Sequence, residues 1–270
     1  MKNPYYILIA LAITGILIFA AKIDEKGKKG ETQEKTNSIT YVPQRPLKTS
    51  QQLSVIQAPE GKLEDIAPEL KKSAEKGNAK SALALYLKLS TCDTALHTQI
   101  SPDEIKAYAS AGISMEKYAN SMEKSISECT GASEEDLKRR GKWLEKSAML
   151  GDLQAKLMYA SDPEAIVGDA TDMLRDPEKV IDYKKKAVKF LSDAASSGSP
   201  DGLMKMGDAY NDGILLPKDQ VRAYAFYRAT EMTTSSDFSN ILSKIEPELT
   251  PAQISQGNKE AIHIYQNCCK

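Results

Sequence analysis

The stretch AMLGDLQAK, residues 148–156, returns as AEKGNAKSA at 74–82 and as ASSGSPDGL at 195–203. Each copy opens on a small residue, passes two variable positions to a glycine, and then places a short polar side chain: Gly77 with Asn78, Gly151 with Asp152, Gly198 with Ser199. Glycine takes the left-handed conformation that closes a helix, and the side chain after it caps the next helix at once. Two helices are therefore expected to meet across a minimal turn. Ala74, Ala148 and Ala195 precede the turns and Ala82, Ala155 and Gly202 follow them, so the paired backbones have room to approach. The two offsets are unequal, and the longer one accommodates two units of a length usual for helical repeats.

Outward from these turns, apolar residues recur at helical spacing from Leu63 onward, and no useful run alternates with period two. Ser101-Pro102, Asp162-Pro163, Asp176-Pro177, Ser199-Pro200 and Thr250-Pro251 each set a capping side chain before a proline, whose preset φ suits a first helical turn. The body, 61–270, is thus expected to be all-α and built of helical hairpins. Residues 22–60 are rich in Lys, Glu, Thr, Gln, Ser and Pro and read as a flexible tether. From Tyr5 to Ala21 the chain carries no charge, about 26 Å as a helix, which predicts a transmembrane or signal helix within 1–21. The positions before Ala20 and Ala21 fit an A-x-A cleavage pattern poorly, favouring a retained anchor. Lysines after the span would keep the body in the cytoplasm by the positive-inside rule; the N-terminal placement and the cysteines point instead to export, and a periplasmic side is expected.

The stretch DAYNDGILLPKD, residues 208–219, has the outline of a calcium loop. Its third place is Tyr210 where an oxygen donor belongs, and its last is Asp219 rather than a bidentate Glu. The span GLMKMGDAYNDGILLPKDQVRAYAFYRA, 202–229, instead resembles the Sel-one-like repeat family, relatives of tetratricopeptide repeats, at Leu203, Met206, Gly207, Tyr210, Gly213, Asp219, Ala223, Tyr227 and Ala229. Residues 143–160 and, more weakly, 70–86 look like further units, 248–265 like a closing helix, and 91–141 matches poorly. The resemblance implies that Gly207 lies against a neighbouring helix, that Tyr210 fills the hairpin core, that Gly213 ends a helix and that Asp219 begins the next. It also implies that the hairpins stack into an α-solenoid, an adaptor that holds another protein on a concave face, with no cofactor and no chemistry of its own.

A net charge of −1 gives no field to hold nucleic acid. Two histidines and one tryptophan are a sparse kit for catalysis, and no nucleophile elbow, phosphate loop or HExxH occurs. An enzyme is not expected; the alternatives kept open are an envelope hydrolase on a helical array and a thiol-based redox sensor. Cys92 and Cys129 stand at expected helix ends, and a disulfide between them would be worth about 4 kcal/mol in an oxidising compartment. Cys268 and Cys269 are neighbours, which seldom bond each other; a surface disulfide to another chain and idle thiols remain equal readings, and with His263 they make a poor metal site. His97 reads as a solvated loop residue. The run Lys184-Lys185-Lys186 reads as the outer face of a helix over 177–196 whose Val180, Tyr183, Ala187, Phe190, Leu191 and Ala194 turn inward.

Overall fold

The three glycine turns share one hydrogen-bond pattern. Gly77 N–H donates to Ala74 O and Asn78 N–H to Ser73 O, at 3.0 and 3.2 Å; Gly151 and Asp152, then Gly198 and Ser199, repeat the same pair of bonds. The glycines have φ of 93°, 96° and 79°, and the following side chains accept from Ser81, Ala155 and Gly202 N–H. Each turn thus satisfies the orphan carbonyls of one helix and the orphan amides of the next within two residues.

The computed structural model describes residues 57–234 and 236–269, all within one unit of the chain, Leu53–Lys270. The expected anchor over 5–21 and all of the expected tether before 57 lie outside the described residues. No described helix is long and apolar enough to cross a membrane. The described residues are all-α: α1 Leu63–Glu75, α2 Ala79–His97, α3 Pro102–Ser110, α4 Met115–Ser127, α5 Glu134–Lys138, α6 Gly141–Met149, α7 Leu153–Tyr159, α8 Pro163–Val167, α9 Ala170–Arg175, α10 Pro177–Ser196, α11 Pro200–Asp212, α12 Gln220–Thr233, α13 Ser239–Ile245 and α14 Pro251–Cys268, with a 3-10 turn at Glu246–Glu248 before the last.

The glycine turns join α1 to α2, α6 to α7 and α10 to α11. Each pair then packs on the next: α2 on α6, α7 on α10, α11 on α12, and α12 on α14. Small residues let them close. Ala74, Ala82, Ala148 and Ala155 are fully buried, and a Cβ on Gly202 would stand 2.6 Å from Ala195 N. Ser147, also buried, donates its hydroxyl to Ala79 O at 2.8 Å and so ties α6 to the start of α2. The five Ser/Asp/Thr-Pro pairs start α3, α8, α10, α11 and α14, each with its side chain on an amide of the first turn.

The segment 91–141 departs from the hairpin rhythm, and α2 departs from its expected end. Cys92 does not follow the helix but sits inside it, fully buried, because Leu85, Leu89, Cys92 and Ala95 continue one apolar stripe. His97 is likewise the last residue of α2 rather than a loop residue. Its ring lies 3.1 Å from Asp93 Oδ1 and 3.3 Å from Glu134 Oε1, on an exposed edge between α2 and α5.

Cys92 lies at disulfide distance from Cys129, with Cα atoms 5.3 Å apart. One turn before Cys92 on α2, Lys88 is buried and reaches Glu128 Oε2 at 2.7 Å. The backbone on either side of Cys129 serves α1, whose N-cap residue Lys62 makes no side-chain cap: Leu63 N–H donates to Glu128 O and Glu64 N–H to Thr130 O. The Lys88 hydrogen bond, more than its charge, holds the Glu128 carboxyl below its ordinary value of about 4.5. A depressed carboxylate contributes stability above its unfolded value, and the contribution is lost as pH falls through the folded value. Glu128→Ala is expected to destabilise clearly more than Lys88→Met, because only the former leaves a buried ammonium unpaired. The acid-side fall in the denaturation midpoint should shrink in both; equal midpoints for the two variants at pH 7 would refute the asymmetry.

Candidate binding groove

The residues 208–219 that outline a calcium loop have separate structural tasks. Asp208 accepts from Tyr227 O–H at 2.8 Å, Asp212 accepts from Ile214 N–H at 2.8 Å, and Asp219 caps α12 through Arg222 N–H at 3.0 Å. Gly213 closes α11 with φ 75°, and Asp219 N–H returns to Tyr210 O at 2.9 Å, which pins both ends of the loop between them. Leu203, Met206, Gly207, Ala223 and Tyr227 are buried. Gly207 faces the Tyr227 ring, where a Cβ would come to 2.7 Å. Tyr210 differs from the expectation: it is half-buried at the rim, stacked on Phe226 with centroids 5.8 Å apart, its hydroxyl accepting from Arg222 Nη1. The small Gly207 lets Tyr227 take the hairpin core, which leaves Tyr210 at the edge.

The same loop forms one wall of a groove of about 460 Å³ between α11, α12 and α13. That volume lies in the range of ligand-sized clefts. Asp208 and Asn211 come from successive turns of one face of α11, Lys218 from the loop, Gln220 and Tyr227 from α12, Ile241, Lys244 and Ile245 from α13, and Glu248 from the 3-10 turn. Burial first, then the bond to Asp208, pushes the Tyr227 hydroxyl well above its ordinary value, so it remains a neutral donor. Gln220 Nε2 donates to Glu248 Oε2 at 3.1 Å, and its Oε1 is buried without a partner. Both carboxylates of the groove therefore already hold a hydrogen bond from the protein. Lys218 and Lys244 make no ion pair among the described residues, and an acceptor, Gln220 Oε1, awaits a donor. Ile241 and Ile245 supply an apolar strip along the third side.

Other polar groups are spent on the architecture. Tyr86 donates to Asp162, which also caps α8 through Ala165 N–H. Tyr183 donates to Ala160 O, and Lys186 bridges Glu145 and Asp182. Lys189 pairs with Asp193 on the outer face of α10, while Tyr183, Ala187, Phe190, Leu191 and Ala194 are buried. Among the described residues no three His, Cys, Asp or Glu side chains converge on a metal position.

Cys268 and Cys269 depart from the expectation. The structure bonds the two neighbours to each other, with Cα atoms 3.7 Å apart, across the end of α14. Cys268 is the last helical residue, and Cys269, the cap residue that follows, still donates its N–H to Tyr265 O. No protein-family model matches the chain, and no curated protein matches it.

Proposed function

We propose that the body is a protein-interaction module: an α-solenoid of hairpins, of the kind that Sel-one-like repeats build, which binds an extended segment of a partner protein in the 460 Å³ groove. The observation that carries this reading is the lining of that groove. Among the described residues Lys218 and Lys244 make no ion pair beside an apolar strip, and Gln220 Oε1 is a buried acceptor without a donor. A peptide main chain supplies such donors at regular intervals, and its side chains supply apolar and acidic groups for the rest. Successive packing of each hairpin on the next supports the solenoid, since units of this kind bury their apolar faces only against neighbours. A cysteine pair at disulfide distance supports an oxidising compartment, and the uncharged span 5–21 supports a membrane tether holding the module on the periplasmic side.

The test uses the full chain in detergent as bait for a displayed library of short random peptides. Peptides enriched on it should lose about tenfold in affinity on Lys244→Glu or Gln220→Leu, and little on Lys184→Glu outside the groove. Thermal midpoints of the variants should stay near the parent value. Enriched peptides indifferent to both groove substitutions would remove the groove from the proposal.

A further inference from the structure

We propose that the Cys268–Cys269 disulfide is a thiol–disulfide exchange site for dithiol reductants, and that its state sets whether the last turn of α14 is latched onto the α10–α11 turn. The position of the pair carries this. A Cβ on Gly198 would lie 3.1 Å from Cys268 O and 3.6 Å from Cys269 Sγ, so the bonded pair rests directly on the glycine turn. Cys269 N–H donates to Tyr265 O at 3.0 Å, which extends α14 by one bond at that contact. Beside the pair lies an open groove of about 200 Å³ between α10, α11, α12 and α14, where Leu203, Met206 and Phe226 face Ile264 and Cys268, with His263 and Asn267 also in its wall.

The two cysteine pairs differ in what opposes their reduction. Cys92 and Cys129 are buried and separated by 37 positions, so opening that bond releases a long loop and the packing it holds. Cys268 and Cys269 are half-buried and separated by one, so their bond restrains almost none of the unfolded chain, and its loss threatens little of the fold. A disulfide that is partly open to solvent and holds no fold together is the kind that exchanges. In the first step a thiolate of the reductant attacks one cysteine sulfur; the S–S bond breaks and the other sulfur leaves as a thiolate, which takes up a proton. The second thiol of the reductant then loses its proton and attacks the mixed disulfide. The products are two cysteine thiols and the oxidised reductant, two electrons and two protons having passed to the protein. Once the bond is open, Cys269 turns away from the helix end and Cys268 no longer presses on Gly198.

The experiment titrates the full chain with dithiothreitol, traps thiols with iodoacetamide and follows amide hydrogen exchange. Residues 268 and 269 should take two labels at a reductant concentration about tenfold or more below that which labels Cys92 and Cys129. At that concentration, exchange at the Cys269 amide and at the Ser197–Ser199 amides should rise by about tenfold, with the amides of α2 unchanged. The variant Cys268→Ser/Cys269→Ser should show the raised exchange with no reductant present. Three results overturn the proposal: two free thiols at 268 and 269 in the oxidised chain, reduction of both pairs in parallel, or unchanged exchange at the α10–α11 turn after reduction.

Discussion

The double variant Cys92→Ser/Cys129→Ser is expected to lose about 4 kcal/mol of folding stability by the chain-entropy estimate for a loop of this length. The loss should appear as a lower urea midpoint of the oxidised chain, and reduction of the parent under conditions strong enough to open this bond should reproduce it. The location makes the effect large in practice. No residue of α3 or α4 is buried, so this part of the chain has little packing of its own to fall back on. Limited proteolysis of the variant should therefore cut first within 98–127, while the parent resists there. A variant as stable as the parent would show that the bond holds nothing that packing does not already hold. Cys268→Ser/Cys269→Ser should by contrast leave the midpoint nearly unchanged, because adjacent residues close no loop.

Gly141→Ala is the second large effect, an expected loss of about 3 kcal/mol. Gly141 begins α6 and is buried against α8; a Cβ there would stand 2.0 Å from Ala165 O and 2.6 Å from its carbonyl carbon. Those atoms are backbone, and α8 is fixed at its start by the Asp162 cap and the Tyr86 bond, so it cannot yield cheaply. Gly151→Ala offers the comparison. It has φ 96° with nothing near an added Cβ, so its cost is conformational alone, about 1–2 kcal/mol. Thermal or urea unfolding of the two variants separates the steric from the dihedral cost. Should Gly141→Ala prove the milder, α6 and α8 would have to shift freely against each other.

These comparisons show which features of the chain are local. Gly77, Gly151 and Gly198 with their caps, and the five proline starts, are legible because two or three adjacent residues contain the whole hydrogen-bond pattern. The end of α2 was less so: Cys92 read as a helix end and His97 as a loop residue, yet Cys92 and Ala95 carry the buried stripe onward to His97. Lys88 gave one signal, a single charge in an apolar run, but its partner Glu128 is 40 positions away. The groove was legible only on one wall. Residues 208–219 attracted attention as a calcium-like loop, whereas Lys244, Ile245 and Glu248 join them only because α13 packs on α12. The bond between Cys268 and Cys269 ran against the general expectation for neighbours, and nothing in the composition of the tail marks it.

The first helix borrows its cap from far downstream: Leu63 and Glu64 N–H donate to the carbonyls of Glu128 and Thr130. During synthesis the leading edge of α1 thus stays frayed until the ribosome has released the chain past residue 130, several seconds later at ordinary elongation rates. Joining Cys92 of α2 to Cys129 waits on the same stretch of chain. A translational pause before residue 129 would therefore leave α1 without its cap and Cys92 without its partner at the same time.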